Sequence, residues 1–251
     1  MKHLDRIYNE DCMKGMKDIP DKSIDLILCD PPYQTTANDW DIALPLADMW
    51  REYERIIKDD GNIVLFGTGL FAFKLALSNE KLFRYDMVWK KSKCGSPLTA
   101  HYMPMKKHEL ILVFGKSGAK YHAQMEEGKP YTRHFTEHKM NNMKFGIKGV
   151  EHENEGVRYP STVLDFPQKW RRQDQVHPTQ KPVPLFEWLV NAYTEKGDVV
   201  LDNCIGSGTT ALACIRTERH YIGFETSAEY CRVAERRIIA LRKNGVQMEM
   251  L

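Results

Sequence analysis

Four residues, Asp30-Pro31-Pro32-Tyr33, place a carboxylate, two rigid backbone positions and an aromatic ring in one turn. Each proline holds φ at about −65° and removes a backbone donor. What the turn offers is therefore acceptors, the Asp30 carboxylate and the Pro31 carbonyl, beside the face of Tyr33. Such a wall suits the exocyclic amino nitrogen of adenine or cytosine, a weak nucleophile because its lone pair is delocalised into the ring. Two acceptors on its N–H bonds favour the pyramidal, electron-rich nitrogen and aim its lone pair at an electrophile. That is catalysis by fixed dipoles and positioning, with no covalent intermediate. A base in a duplex must first leave the stack, at about a few kcal/mol. Stacking on Tyr33 would return roughly 1–3 kcal/mol of this.

A second constellation lies near the other end of the chain. Val199 to Asp202, then Asn203-Cys204-Ile205-Gly206-Ser207-Gly208, then Thr209-Thr210-Ala211 read as strand, glycine turn and helix. Glycines let backbone approach a ligand where a side chain would block it. Glu225 closes the next apolar run 23 residues after Asp202, close to the offset of about 20 at which an acid accepts hydrogen bonds from ribose hydroxyls. Together they describe a nucleoside-cofactor site. The spacing Gly206-x-Gly208-x-x-Ala211 also satisfies the dinucleotide fingerprint, which leaves an NAD-dependent oxidoreductase as a rival; a phosphate loop is excluded because no lysine follows the second glycine. Position weighs against NAD. A dinucleotide fold begins with this unit, whereas only about fifty residues remain after Asp202, too few for a doubly wound sheet. The missing strands must come from the N-terminal half, giving a circularly permuted order.

The elements that would carry these turns alternate. Strands are expected over 6–9, 24–29, 62–66, 85–89, 109–114, 198–201 and 221–224. Helices are expected over 43–57, 183–193, 209–217 and 228–242, with Asp59-Asp60-Gly61 as a stop. Alternation of this kind predicts an α/β fold with a parallel sheet. Between 116 and 175 periodicity is poor and Gly, Lys, His, Asn and Met dominate, as in an inserted, loop-rich module. The organisation read from this is 1–115 as one half of a domain, 116–175 as the insert, and 176–251 as the other half.

A formal net charge of +2 conceals an asymmetry: Lys90 to Arg172 carries a net +8 and the remainder a net −6. A basic middle in an acidic frame fits one part that meets a polyanion. Trp170-Arg171-Arg172 is the candidate for base or phosphate contact. The six cysteines, Cys12, Cys29, Cys94, Cys204, Cys214 and Cys231, have neither paired C-x-x-C spacing nor a disulfide-dense pattern, so a reducing cytoplasm is expected. No apolar run nears the ~20 residues of a membrane span. The spacings of His108, His122, His134, His138 and His152 match no standard metal site, and no metal is expected.

In the order of its motifs the chain resembles the amino methyltransferases of DNA, specifically the permuted β group. The resemblance covers most of the chain: Asp30 to Tyr33, Trp40-Asp41, Trp89-Lys90, His108-Glu109 through Phe114, Tyr159 to Val163, His177 to Pro182, Gly206 to Thr210, and Ile222 to Glu225. It implies a seven-stranded Rossmann-like sheet, S-adenosylmethionine as donor, double-stranded DNA as partner, and methylation of adenine N6. Asp before Pro-Pro favours adenine; cytosine N4 is the alternative. Cytosine C5 is not expected, because no Pro-Cys dipeptide occurs. Residue by residue it implies that Asp30, Pro31, Pro32 and Tyr33 hold the target base. Asp202, Gly206, Ser207, Gly208 and Thr209 would surround the cofactor's methionine part, Glu225 its ribose, Asp11 and Cys12 its adenine, and Thr179 and Lys181 its carboxylate, with Asp30 close by. Homodimerisation and pairing with a restriction enzyme are left open. One departure stands out: Asp202-Asn203-Cys204 occupies the place of the family's usual Asp-Pro-Phe.

Overall fold

The computed structural model describes residues 2–32, 45–95, 97–134, 151–167 and 180–248. In chain order the first part contains β1 (Arg6–Tyr8), α1 (Cys12–Gly15), β2 (Ile24–Cys29), α2 (Leu46–Ile56), β3 (Ile57–Gly67), α3 (Gly69–Leu77), β4 (Phe83–Gly95) and β5 (Lys106–Gly115). Four short strands follow, β6 (Glu126–Glu127), β7 (Tyr131–His134), β8 (Glu151–Asn154) and β9 (Val157–Arg158). The last part is β10 (Val163–Asp165), α4 (Val183–Tyr193), β11 (Val199–Asp202), α5 (Thr209–Arg216), β12 (His220–Phe224) and α6 (Ala228–Met248). Among the described residues no helix is long and apolar enough to cross a membrane.

The chain divides into two compact units, 1–122 with 162–251, and 123–161. In the larger unit one sheet runs β1-β12-β11-β2-β3-β5-β4-β10. All neighbours are parallel except where β5 meets β3 and β4, so β5 alone runs backwards. Seven strands make the body of the sheet, and β10 adds a three-residue edge beside β4. β11, which carries the glycine turn, lies between β12 and β2, so the sheet is assembled from both ends of the chain, as the permuted reading requires.

β2 is buried at every position, and alternation sends its side chains to opposite faces. Leu26 and Leu28 pack with Leu185, Phe186 and Leu189 of α4 and with Ala211 to Cys214 of α5. Ile27 and Cys29 pack with Met49 and Tyr53 of α2 and with Ala72 and Leu75 of α3. Helices therefore cover both faces, and the exposed parts of the central strands are their ends, where an α/β sheet binds ligands.

Three features depart from the sequence-based expectation. Asp59-Asp60-Gly61 does not stop a helix before a separate strand; it lies inside β3. The register shifts between Ile24↔Ile57 and Leu26↔Asn62, which absorbs the extra residues. A Cβ on Gly61 would lie 2.8 Å from the Asp25 carbonyl oxygen, so glycine there serves close approach of two strands. The helix α3 was not anticipated, because Gly69 opens it and Leu70, Phe73 and Leu77 on it are exposed, which hides its period. The compact second unit, 123–161, is narrower than the 116–175 stretch. Its described residues form two antiparallel ladders, β6 with β9 and β7 with β8, joined where Gly128 N–H meets the Gly156 carbonyl at 2.7 Å.

Candidate active site

Four adjacent parallel strands each deliver a carboxylate at or just past their carboxyl ends: Asp11 after β1, Glu225 after β12, Asp202 at the end of β11, and Asp30 after β2. Their crowding has an electrostatic consequence. Burial pushes the Asp202 carboxyl up to about 7; hydrogen bonds from Thr210 and the Cys204 amide oppose this, and the charges of Asp30 and Glu225 add to it. Asp202 accepts from the Thr210 hydroxyl through Oδ2 and from the Cys204 N–H, at 3.1 Å, through Oδ1.

The folded chain thus holds this proton to about 7, whereas an unfolded aspartate releases it at about 3.9. The native state binds more protons between those values, so stability falls as pH rises through the window, by at most about 4 kcal/mol. Asp202→Asn should lack this contribution. The variant's melting temperature relative to the unsubstituted protein should therefore climb from pH 4 to about 7 and level off above. Parallel curves in a pH series of thermal melts would mean that Asp202 is ionised in the fold.

The glycine turn is held from three sides. Gly206 (φ +51°) donates its N–H to Glu225 Oε2 at 3.0 Å, and Ser227 donates to Oε1 at 2.8 Å. Arg237 of α6 reaches back to the Ser207 carbonyl at 2.5 Å and its hydroxyl at 3.1 Å. Gly208 (φ +82°) caps α5, and a Cβ there would lie 2.7 Å from that of Ala234. Packing and backbone angle both demand glycine at 208. Gly206 differs: a Cβ there would meet nothing nearer than the Cys204 carbonyl at 4.0 Å. The backbone at 206 faces open space, which is where a bound group would lie.

Asn203, in the place of the family's usual proline, has a definite job. Its Oδ1 accepts from the buried Tyr53 hydroxyl at 2.5 Å, and its Nδ2 reaches Cys12 and Cys204 sulfur at 3.7 Å each. It ties α2 and α1 to the end of β11. Burial pushes the neighbouring Cys29 thiol up to about 11, which leaves it protonated and inert at neutral pH. Asp11 caps α1, accepting from Met13 and Lys14 N–H at 2.8 and 3.2 Å.

Asp30 belongs to an alternating chain of charges. The Lys181 ammonium contacts Asp30 Oδ2 and lies 3.1 Å from Glu109 Oε2, and Lys91 pairs with Glu109 Oε1. Lys181 is buried and sits over the rings of Phe66, at 5.1 Å, and Trp89, at 5.9 Å. Burial alone would weaken its affinity for a proton; Asp30 and Glu109 more than offset that and hold it above the usual lysine range. Burial would raise the Glu109 carboxyl, yet Lys181 and Lys91 hold it below the usual range. The ammonium expected from the resemblance to approach the cofactor's carboxylate is here engaged by two protein carboxylates.

The structure thus brings Asp11, Cys12, Asp30, Pro31, Pro32, Lys181, Asp202, Gly206, Ser207, Gly208, Thr209 and Glu225 to adjoining strand ends and turns of one sheet. Tyr33, Trp170, Arg171, Arg172 and Thr179 lie outside the described residues. Sequence reasoning missed Arg237 and Tyr53, which act from helices remote in sequence and carry no local signal. Glu109 was visible in the His108-Glu109 pair, but nothing in the sequence linked it to Lys181.

A permuted, mainly parallel sheet with a glycine turn and Glu225 at its carboxyl edge has the form of a Rossmann-like nucleoside-cofactor fold, and Asp30 lies at the end of the adjacent strand. Residues 24–236 match the DNA methylase family of N6 and N4 methyltransferases, and the chain belongs to it. It is 29% identical to the DNA adenine methyltransferase YhdJ of Escherichia coli, over 92% of this chain and 82% of that protein. It is 28% identical to the type II methyltransferase M.HpaI of Haemophilus parainfluenzae, over 93% of this chain and 74% of that one. In fold it is similar to the M1.HpyAVI–SAM complex, with TM-score 0.65, 24% identity and coverage of 93% and 98% of the two chains. Family membership removes the NAD-dependent oxidoreductase from consideration.

Proposed function

We propose that this protein transfers a methyl group from S-adenosylmethionine to N6 of an adenine extruded from double-stranded DNA. The observation that carries the proposal is the placement of Asp30 at the end of β2, beside the strand that ends in Asp202 and the glycine turn. The naming of YhdJ as an adenine methyltransferase supports the choice of base, as does Asp rather than Ser before Pro31.

The residues present fit the cofactor. Open backbone at Gly206 admits a ligand close to the turn, and the Glu225 carboxylate, already held by the N–H groups of Gly206 and Ser227 and by Thr226, is an anionic acceptor for ribose hydroxyls. Asp202, Ser207, Gly208 and Thr209 would surround its methionine part, Asp11 and Cys12 its adenine, and Thr179 its carboxylate. When bound, S-adenosylmethionine supplies an electrophilic methyl on a sulfonium. Asp30 and the Pro31 carbonyl accept the two N–H bonds of the target amino group, holding its lone pair in line. Tyr33 stacks on the extruded base. Lys181 positions Asp30. The 123–161 unit and Trp170-Arg171-Arg172 serve target recognition.

Glu225→Gln keeps the shape of the side chain but replaces a charged acceptor. It should weaken S-adenosylmethionine binding by about 5- to 150-fold, the range for loss of a charged hydrogen-bond partner. Calorimetry reads this directly; unchanged affinity would remove Glu225 from the cofactor site.

Incubating the protein with S-adenosylmethionine and bacterial genomic DNA, then digesting to nucleosides for mass spectrometry, tests the whole reading. N6-methyldeoxyadenosine is the expected product. N4-methyldeoxycytidine would replace adenine by cytosine, and neither product would overturn the proposal. Sequencing the methylated DNA gives the site.

A further inference from the structure

The turn joining β4 to β5 combines two features that oppose each other in an ordinary surface loop. Leu98 is 92% exposed and Tyr102 88%, and Met103 and Met105 beside them are also exposed. Scattered exposed apolar side chains are normal, but four within eight residues of one turn form a patch. Around it, Lys93, Lys106 and Lys107 lie in a stretch, Lys90 to His108, without a single acidic residue; Lys90 and Lys91 at its root pair with Asp165 and Glu109. Water-facing apolar tips are costly, and a dense cationic collar adds self-repulsion. Both costs disappear against a polyanion that offers an apolar interior, and stacked bases inside a phosphate backbone are that combination.

Its place in the fold fits. β4 runs parallel to β2, because β5 is antiparallel to β3 and β4. The turn therefore leaves the same edge of the sheet as Asp30. At its root Trp89 pairs with Glu109 and Lys90 with His108, and Glu109 contacts the Lys181 ammonium that holds Asp30. Beyond that root β4 continues from Lys90 to Gly95 with a shift in register, Lys90 facing His108 and Gly95 facing Lys106, so the hairpin extends past the root by roughly 7 Å at the usual strand rise.

We propose that this turn is a wedge that enters duplex DNA, with Leu98 and Tyr102 filling the slot vacated by the extruded base and the lysines gripping the flanking phosphates. The inference rests on the reading of the chain as a methyltransferase of duplex DNA, and adds a surface to it. Extrusion leaves an unstacked gap, and apolar side chains inserted at base steps are a known way to occupy one. A second copy of this chain is a poor occupant, since two such turns would bring Lys93, Lys106 and Lys107 of each against those of the other.

The test compares Leu98→Ala/Tyr102→Ala and Lys93→Gln/Lys107→Gln with the unsubstituted protein. Two duplexes carry the site found by sequencing, one with the target base paired and one with it opposite an abasic gap. The apolar variant should transfer methyl groups to the paired duplex at least about tenfold more slowly and to the gapped duplex nearly as fast as the unsubstituted protein. The lysine variant should flatten the slope of log affinity against log salt by about 2. Equal losses on both duplexes, or none, would overturn the wedge. So would sedimentation showing that the apolar variant breaks a dimer, or loss only of its binding to phosphatidylserine vesicles. If the unsubstituted protein methylates neither duplex, the methyltransferase reading itself has failed, which is a different result.

Discussion

Asp30→Ala should lower the single-turnover rate of methyl transfer by about 10²–10³-fold while duplex affinity stays within about a few-fold. The amino nitrogen becomes pyramidal and acquires positive charge only as the methyl group arrives, so an anionic acceptor at that point is worth most in the transition state. The geometry sharpens the expectation. Oδ2 of Asp30 is engaged by Lys181, which orients the carboxylate and keeps it from swinging with the turn. Asp30→Asn retains the shape but loses the charge that faces Lys181, and it can turn an N–H toward the target nitrogen. It should therefore be as slow as the alanine variant, although it packs better. Rapid-quench transfer of labelled methyl groups to a duplex, with affinity measured in parallel, separates rate from binding. An alanine variant within tenfold of the unsubstituted rate would rule out this role for Asp30.

The parts of the architecture legible in the sequence are those where burial imposes a pattern. β2 is fully buried and reads as an apolar run over Ile24–Cys29 interrupted only by Asp25. α4, at Val183–Tyr193, follows a Pro182 that cannot extend a helix backwards. The glycine turn was legible because Gly208 answers two constraints at once, a left-handed backbone and contact with Ala234. The illegible parts obey no local period. β6 to β9 are strands of two to four residues, held by pairing across 16 residues of intervening chain for β7 with β8 and 29 for β6 with β9. β10 has only one buried residue, Leu164, too few to alternate.

The candidate site shows the same division. Asp30, Gly206 and Glu225 sit at strand ends, which the strand pattern locates. Their supports come from far along the chain: Lys181 is 151 residues from Asp30, and Arg237 is 30 from Ser207. A sequence motif records that Lys181 is present beside Gln180 and Pro182 but says nothing of its partner. The resemblance places that lysine near the cofactor's carboxylate, and in the fold its ammonium lies between Asp30 and Glu109.

Lys181→Met should therefore destabilise the fold strongly, and the second variant that reveals why is Glu109→Gln. Lys181 is a buried cation with two carboxylate partners, and methionine fills its space between Phe66 and Trp89. Its loss leaves Glu109, itself buried, with Lys91 alone. Removing one partner from a buried ion pair costs about 3–5 kcal/mol, because the other charge stays desolvated. At about 2–4 °C per kcal/mol for a domain of this size, the melting temperature should fall by roughly 6–20 °C. Lys181 is held above the lysine range and Glu109 below the glutamate range. The first contribution persists until pH rises beyond the lysine range, and the second until pH falls below the glutamate range. The deficit should thus be the same at pH 6 and pH 8.5. Adding Glu109→Gln to Lys181→Met removes the stranded carboxylate and should recover part of the loss, giving a coupling well above the ~0.5 kcal/mol of independent sites. A double variant whose deficit equals the sum of the two single ones would mean that Lys181 is held by packing on the aromatic rings and not by its charge.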